Sequence, residues 1–147
     1  MRNVLHFVLA VAGLALLATA TAQPVGGVIV RSAEPGYLVD GQGLSLFMYI
    51  RDGQGESSCY EVCAENWPPV LVEGEISAGD GVIGSLLGTV ERTDGTTQLT
   101  FAGWPLYNHA RDDDPGDIHG HRMGDAFFLM TPAGSRITTP IERVIAE

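Results

Sequence analysis

Cys59 and Cys63 are the two cysteines of the chain, and their spacing fits three kinds of chemistry. On a helix, residues four apart share one face, and their Cα atoms lie about 6 Å apart, which a disulfide can span. A strained disulfide is easily reduced and would serve as a redox pair, while two thiolates on one face suit copper(I). Because an even number of cysteines in an oxidising compartment favours pairing, we predict a disulfide, with thiol redox chemistry and metal binding as alternatives.

The segment from residue 109 to residue 121, called the His–Asp segment below, is rich in metal-ligating side chains. Imidazole and carboxylate groups bind zinc, copper or nickel, and two histidines separated by one residue point the same way on an extended chain. The candidate ligands are His109, Asp112, Asp114, Asp117, His119 and His121. A solvated acidic turn at Pro115 and Gly116 accounts for the same residues without a metal. We therefore predict no cofactor, with copper or zinc as the alternative.

Signatures of catalysis are missing from the sequence. The chain contains no nucleophile elbow, P-loop or zinc-protease helix. Asp52 and Asp112 recur at matched positions, but an aspartate after a strand is commonly a turn former. The sequence thus favours a protein without enzymatic activity, and a hydrolase that encloses these two acids in a deep pocket is a further alternative.

The N-terminal residues have the three parts of a secretory signal peptide, which we assign to residues 1–22. Arg2 gives a positive start, residues 4–18 are mostly apolar, and Ala20 and Ala22 form a small-x-small cleavage site. The apolar run is shorter than the roughly 20 residues that a membrane span needs. We predict cleavage after about Ala22, a periplasmic or secreted location, and no stable membrane span in the mature protein.

The chain is acidic, with 18 acidic and 8 basic residues and a formal net charge of −10 at pH 7. Such a charge disfavours binding to nucleic acid or to an anionic membrane surface. We expect the partner to be an unknown protein or a small ligand in the cell envelope, and we expect the chain to be a monomer.

Short apolar stretches separated by turn residues predict an all-β fold. The 19 glycines and 8 prolines leave little room for long helices, and residues 93–96 form an Asp-Gly hairpin signal between two β-prone runs. We predict a small antiparallel β domain, either a sandwich or a partial barrel, at residues 37–132. An N-terminal arm (23–36) precedes this domain, and a C-terminal extension (133–147) follows it.

One short helix is predicted near the cysteines. Ser58 and Glu61 have the spacing of a capping box, and residues 59–66 suit about two turns of helix. Trp67 and Pro68 then end the helix, because the residue before a proline disfavours helical backbone angles.

A motif of ten residues occurs twice, at residues 43–52 (copy one) and 103–112 (copy two), with an offset of 103 − 43 = 60 residues. Glycine, leucine, arginine and aspartate are identical between the copies, and Phe47 aligns with Tyr107. In copy one, Leu46 and Met48 alternate with Phe47 and Tyr49, so that both faces of a strand would be apolar. Each copy therefore predicts a strand that ends in a charged turn and lies between two layers.

The order of these elements resembles a family of secreted proteins and predicted lipoproteins with a Yx(FWY)xxD motif, described as a secreted repeat of unknown function. The residues that carry the resemblance are Phe47, Tyr49, Asp52, Trp67, Pro68, Pro69, Tyr107, His109 and Asp112. The resemblance implies export but no defined biochemical role. Two positions depart from the motif, because Phe47 replaces its tyrosine in copy one and His109 replaces its middle aromatic residue in copy two.

Together these features predict an exported non-enzymatic binding or structural module. The first alternative is a periplasmic metal-handling or electron-transfer accessory protein that uses the cysteines or the His–Asp segment. The second alternative is an uncharacterised hydrolase.

Overall fold

The computed structural model describes residues 28–141 of the chain. The predicted signal peptide, the start of the predicted arm and the last six residues of the C-terminal extension lie outside these described residues. The elements in chain order are β1 (Val28–Ala33), β2 (Tyr37–Asp40), β3 (Phe47–Tyr49), α1 (Val62–Asn66), β4 (Ile76–Ala78), β5 (Leu87–Glu91), β6 (Thr97–Phe101), β7 (Trp104–Tyr107) and β8 (Phe127–Leu129). The prediction of a mostly β fold with one short helix near the cysteines is confirmed.

The strands form two sheets, one with the order β2-β1-β4 and one with the order β5-β6-β7-β3-β8. All pairings are antiparallel except that of β1 with β4, which is parallel. The predicted hairpin joins β5 to β6, and Gly95 at its tip has φ 84°, a conformation that glycine adopts without steric cost. Strand β2 links the sheets, because Leu38 donates its N–H to Met130 O and accepts one from Leu46 N.

Two clusters of buried side chains lie on opposite sides of β3. The first cluster contains Val30, Leu38, Leu46, Met48, Val70, Leu99, Phe101, Leu106, Phe128 and Met130. The second contains Tyr37, Val39, Phe47, Cys59, Trp67, Tyr107, Phe127 and Leu129. Successive residues of a strand point to opposite faces, so Met48 enters the first cluster while Phe47 enters the second. The alternation in copy one predicted this placement between two layers.

The helix is shorter than the sequence predicts, and its predicted cap is wrong. Helix α1 begins at Val62, and its N-terminal flanking residue Glu61 has φ 53° and makes no side-chain capping bond. Ser58 instead donates both its N–H and its hydroxyl to Asp52 Oδ1, each at 2.7 Å. Ser58 is thus held by Asp52 three positions before Glu61, the residue that flanks the helix, and it does not cap the helix. The predicted end is correct, since Trp67 directly follows the last helical residue.

Cys59 and Cys63 form a disulfide with a Cα–Cα distance of 5.2 Å, as predicted. Cys59 lies before the helix and is fully buried in the second cluster, whereas Cys63 lies within α1. The disulfide therefore fastens α1 to the core rather than bridging two turns of one helix.

Candidate functional site

The two copies of the motif lie side by side in the five-stranded sheet. Strands β3 and β7 are antiparallel, and their register places Phe47 directly opposite Tyr107. These two residues are also the ones that align between the copies. A local two-fold axis through this pair therefore relates the strand of copy one to the strand of copy two.

The aspartate of copy one is fully paired. Asp52 is buried, and its Oδ1 accepts the two bonds from Ser58. Its Oδ2 accepts a bond of 2.7 Å from the Tyr107 hydroxyl, which comes from the opposite copy. Burial raises the pKa of the Asp52 carboxyl, although the bonds from Ser58 and Tyr107 act in the opposite direction.

A buried arginine extends this network through the core. Arg92 Nη1 donates to Ser57 Oγ at 2.8 Å and to Gln98 Oε1 at 2.7 Å, and its Nη2 donates to Cys59 O at 2.7 Å. Ser57 Oγ lies 2.7 Å from the Tyr107 hydroxyl, so the arginine and Asp52 belong to one connected network. Burial raises the pKa of Tyr107 well above its usual range, which keeps its hydroxyl a donor. Copy one is thus a buried structural network, in which Arg92 Nε has no hydrogen-bond partner among the described residues and lies 3.7 Å from Asp94 Oδ2.

The aspartate of copy two has the same local arrangement with a different partner. Asp112 is buried, and its Oδ1 accepts the N–H of His119 at 3.0 Å and contacts His119 Nδ1 at 2.9 Å. In each copy the carboxylate thus holds both the backbone N–H and the side chain of one residue, Ser58 or His119. The His109 Nδ1 lies 3.5 Å from the same oxygen. The side chain of His119 is 48% exposed, so its ring reaches from the buried carboxylate to the surface.

One hydroxyl distinguishes the two copies. Asp112 Oδ2 is buried and has no hydrogen-bond partner among the described residues. By the local two-fold axis, the position that corresponds to Tyr107 is Phe47, which has no hydroxyl. The departure from the family motif at Phe47 therefore coincides with the unpaired oxygen of Asp112.

The other motif aromatics form a stack beside copy two. Phe127 stacks on Tyr49 at 4.2 Å and on Trp67 at 3.6 Å between ring centroids, and Trp67 contacts the His109 ring at 4.5 Å. Gly120 allows this packing, because a Cβ at that position would lie 2.5 Å from Trp67 Cη2. Since Trp67 and Phe127 are buried, the stack serves the core.

His121, another predicted ligand, lies apart from this cluster. Its Nδ1 accepts the N–H of Leu129 at 3.2 Å, and its Nε2 lies 2.8 Å from Thr139 O. These partners define a neutral ring with the proton on Nε2, and burial lowers the pKa of the imidazole. Both ring nitrogens are therefore engaged within the protein.

The acidic turn predicted from the sequence is present. Asp117 N donates to Asp114 O at 3.0 Å, and Gly116 between them has φ 92°. Asp117 Oδ2 accepts the N–H groups of Asp113 and Asp114, and Asp114 itself is exposed.

Of the six candidate ligands, the structure brings together His109, Asp112 and His119. Within residues 28–141, no three His, Cys, Asp or Glu side chains are placed to hold a metal ion together.

Two clefts adjoin this cluster. The larger has a volume of about 500 Å³ and is lined by Ile118, His119, His121, Arg122, Pro140 and Ile141. The other, of about 380 Å³, lies beside the disulfide and is lined in part by Cys63, Trp67 and His109. Sequence analysis did not find Arg122 or the apolar wall of the larger cleft, because these residues carry no recognisable motif.

A family model for a secreted repeat of unknown function matches residues 88–127. The family resemblance is confirmed for this segment. The matched segment runs from Gly88 in β5 through β6, β7 and the whole His–Asp segment to Phe127 of the aromatic stack. No curated protein sequence and no solved structure matches the chain. Among the helices of residues 28–141, none is long and apolar enough to cross a membrane.

Proposed function

We propose that the chain is an exported, non-enzymatic binding module that takes its ligand at His119 of copy two. The observation that carries the proposal is the contact of 2.9 Å between His119 Nδ1 and the buried Asp112. A carboxylate on Nδ1 fixes the orientation of an imidazole and leaves its Nε2 edge to a ligand. The match to a secreted repeat supports export.

The lining of the larger cleft supports binding rather than covalent chemistry. Its six residues include no hydroxyl, thiol or carboxyl group, so the two imidazoles are the only side chains of this lining that could act as a nucleophile. Asp52 and Asp112, the acids of the hydrolase alternative, share no hydrogen-bond partner and belong to separate networks. The described residues therefore do not bring Asp52 and Asp112 together as the hydrolase alternative requires.

Metal handling at His119 is the second candidate function. The observation in its favour is the same one, because a histidine that binds a metal commonly donates its other nitrogen to a carboxylate. His119 would supply one ligand, while His121 has both nitrogens engaged with Leu129 and Thr139. Zinc or copper(I) would thus need further ligands beyond these two histidines.

Nuclear magnetic resonance of ¹⁵N-labelled mature protein tests the proposed function. Mixtures of small anionic, cationic and neutral fragments are added in turn, followed by Zn²⁺ and Cu⁺ alone. We expect at least one fragment class to shift the His119 imidazole and the amides of residues 118–122, and we expect each fragment to be recovered chemically unchanged.

The matched variants are His119→Ala, which should abolish these shifts, and Ser58→Ala, its counterpart in copy one, which should not. A saturable response to metal alone that His119→Ala removes would replace the proposal by metal handling. Absence of any response at residues 118–122, or chemical conversion of a fragment, would overturn it.

A further inference from the structure

The larger cleft differs in charge from the rest of the molecule. The chain carries 18 acidic residues against 8 arginines, yet Arg122, His119 and the neutral His121 line this cleft and no acidic residue does. The nearby carboxylate of Asp112 is 1% exposed and lies under His119, which it contacts directly. A ligand in the cleft therefore meets His119 and Arg122 at the surface, with the acid shielded behind the imidazole.

Two polar groups of the cleft remain available to a ligand. His121 directs its Nε2 at Thr139 O and is therefore engaged within the protein. His119 uses Nδ1 for Asp112, which leaves its Nε2. Arg122 is exposed and forms no ion pair or side-chain hydrogen bond with another described residue.

The backbone fixes the position of Arg122. Its N–H donates to Phe127 O at 2.8 Å, and the adjacent His121 ring accepts the N–H of Leu129, so both residues are tied to β8. Arg122 has φ 62°, a left-handed conformation that is uncommon for arginine and that glycine or asparagine would adopt more readily. The side chain thus starts from a defined point beside the cleft.

The remaining wall of the cleft is apolar. Ile118, Pro140 and Ile141 provide it, and the volume of about 500 Å³ accommodates a small organic molecule. A planar guanidinium fork matches the two oxygens of a carboxylate, and the imidazole of His119 lines the same cleft as Arg122. We propose that the ligand is a small molecule with one carboxylate group on a short apolar body. This inference rests on the proposed function and adds the chemical class of the ligand.

The test compares four probes of related shape against the full mature protein by the same resonance titration. Hexanoate has both features, acetate has only the charge, 1-hexanol has only the apolar body, and hexylammonium has the opposite charge. We expect hexanoate to shift the amide resonances of residues 118–122 until the shifts saturate. The affinity for acetate should be lower by about tenfold or more because the apolar contacts are lost. Hexylammonium and 1-hexanol should not saturate over the same concentration range.

The matched variants are Arg122→Gln and Arg51→Gln, which remove one exposed arginine each. Arg122→Gln should weaken hexanoate binding by about tenfold or more, as expected for loss of a charged hydrogen bond, and Arg51→Gln should leave it unchanged. Both variants should keep the dispersed amide spectrum of the folded protein, so that a change in hexanoate affinity reports the loss of the arginine and not unfolding.

Equal binding of hexanoate and hexylammonium, or an unchanged hexanoate affinity in Arg122→Gln, would overturn the carboxylate inference. In that case the proposed function survives if another fragment class still shifts His119. If no probe and no fragment shifts residues 118–122, the inference and the proposed function fail together.

Discussion

Phe47 lies directly opposite Tyr107 where β3 pairs with β7, and the two residues occupy the same position in the two copies of the motif. Tyr107 reaches across the local two-fold axis and donates to the aspartate of copy one. Phe47 has no hydroxyl to offer the aspartate of copy two, whose Oδ2 is unpaired among the described residues. The copy that lacks this hydroxyl is also the copy whose aspartate contacts a half-exposed histidine, His119.

Phe47→Tyr should stabilise the protein, because the new hydroxyl would reach Asp112 Oδ2 as Tyr107 reaches Asp52. We expect the free energy of unfolding to rise by about 0.5–1.5 kcal/mol, the net contribution of a hydrogen bond. Urea denaturation followed by fluorescence measures it. The control is Phe101→Tyr, which places the same hydroxyl in the apolar first cluster and should destabilise. A loss of stability in Phe47→Tyr would contradict the two-fold relationship.

Tyr107→Phe should have the opposite effect in copy one. It leaves the buried Asp52 Oδ2 without its donor, and such a loss costs about 1–3 kcal/mol of unfolding free energy. The comparison is Tyr60→Phe, which removes a hydroxyl that accepts the N–H of Thr93 at an exposed site and should cost less. If both variants lose the same amount in chemical denaturation, the Asp52 network has no special stabilising role.

Removal of the disulfide should loosen α1. Cys59 and Cys63 are separated by four positions, so the loop they close is short, and its loss should lower the free energy of unfolding by about 2 kcal/mol. The double variant Cys59→Ala/Cys63→Ala is compared with the oxidised protein by urea denaturation, and mass spectrometry confirms that the oxidised form is lighter by two hydrogen atoms. An unchanged midpoint would show that the contacts of Trp67 alone hold the helix.

Asp52 should give the protein a distinct response to acid. Burial raises its pKa in the folded state above the ordinary value of 3.8, so the folded state holds this proton more tightly than the unfolded chain. The contribution of Asp52 to the free energy of unfolding therefore falls as the pH rises from about 3.8 through the folded pKa. As the pH rises through this range, the free energy of unfolding of Asp52→Asn should therefore increase relative to that of the wild type.

Asp94 supplies the control of opposite sign. Its hydrogen bonds with Thr96 lower its pKa, so its stabilising contribution is lost as the pH falls from 3.8 through the folded value. Relative to the wild type, Asp94→Asn should therefore gain stability as the pH falls. Urea denaturation of the wild type, Asp52→Asn and Asp94→Asn at several pH values measures both differences. If the stabilities of the two variants relative to the wild type change in the same direction with pH, the opposite pKa shifts of Asp52 and Asp94 are wrong.

The local pattern of the sequence was enough to predict a mostly β fold, the strand of copy one, the hairpin and the disulfide. Leu46, Phe47 and Met48 alternate between two apolar faces, and this period of two fixes which core each side chain enters. The aligned copies indicated a repeat, although not that its members would lie opposite each other. These features are predictable because they depend on residues that are near each other in the chain.

The polar partners could not be predicted in the same way. Ser58 has the spacing of a helix cap, yet it donates to Asp52, and Asp52 takes its last bond from Tyr107, which is 55 positions away in sequence. His119 and His121 look equivalent in sequence, but one contacts a buried carboxylate and the other is engaged with Leu129 and Thr139.

The sequence by itself thus determined the mostly β character of the fold, the paired cysteines and the repeat. Only the tertiary structure decided which histidine remains available and which arginine lies beside it. The physical reason is that a buried polar atom is satisfied by whichever donor the packed strands bring near it, and that choice is made across the whole fold.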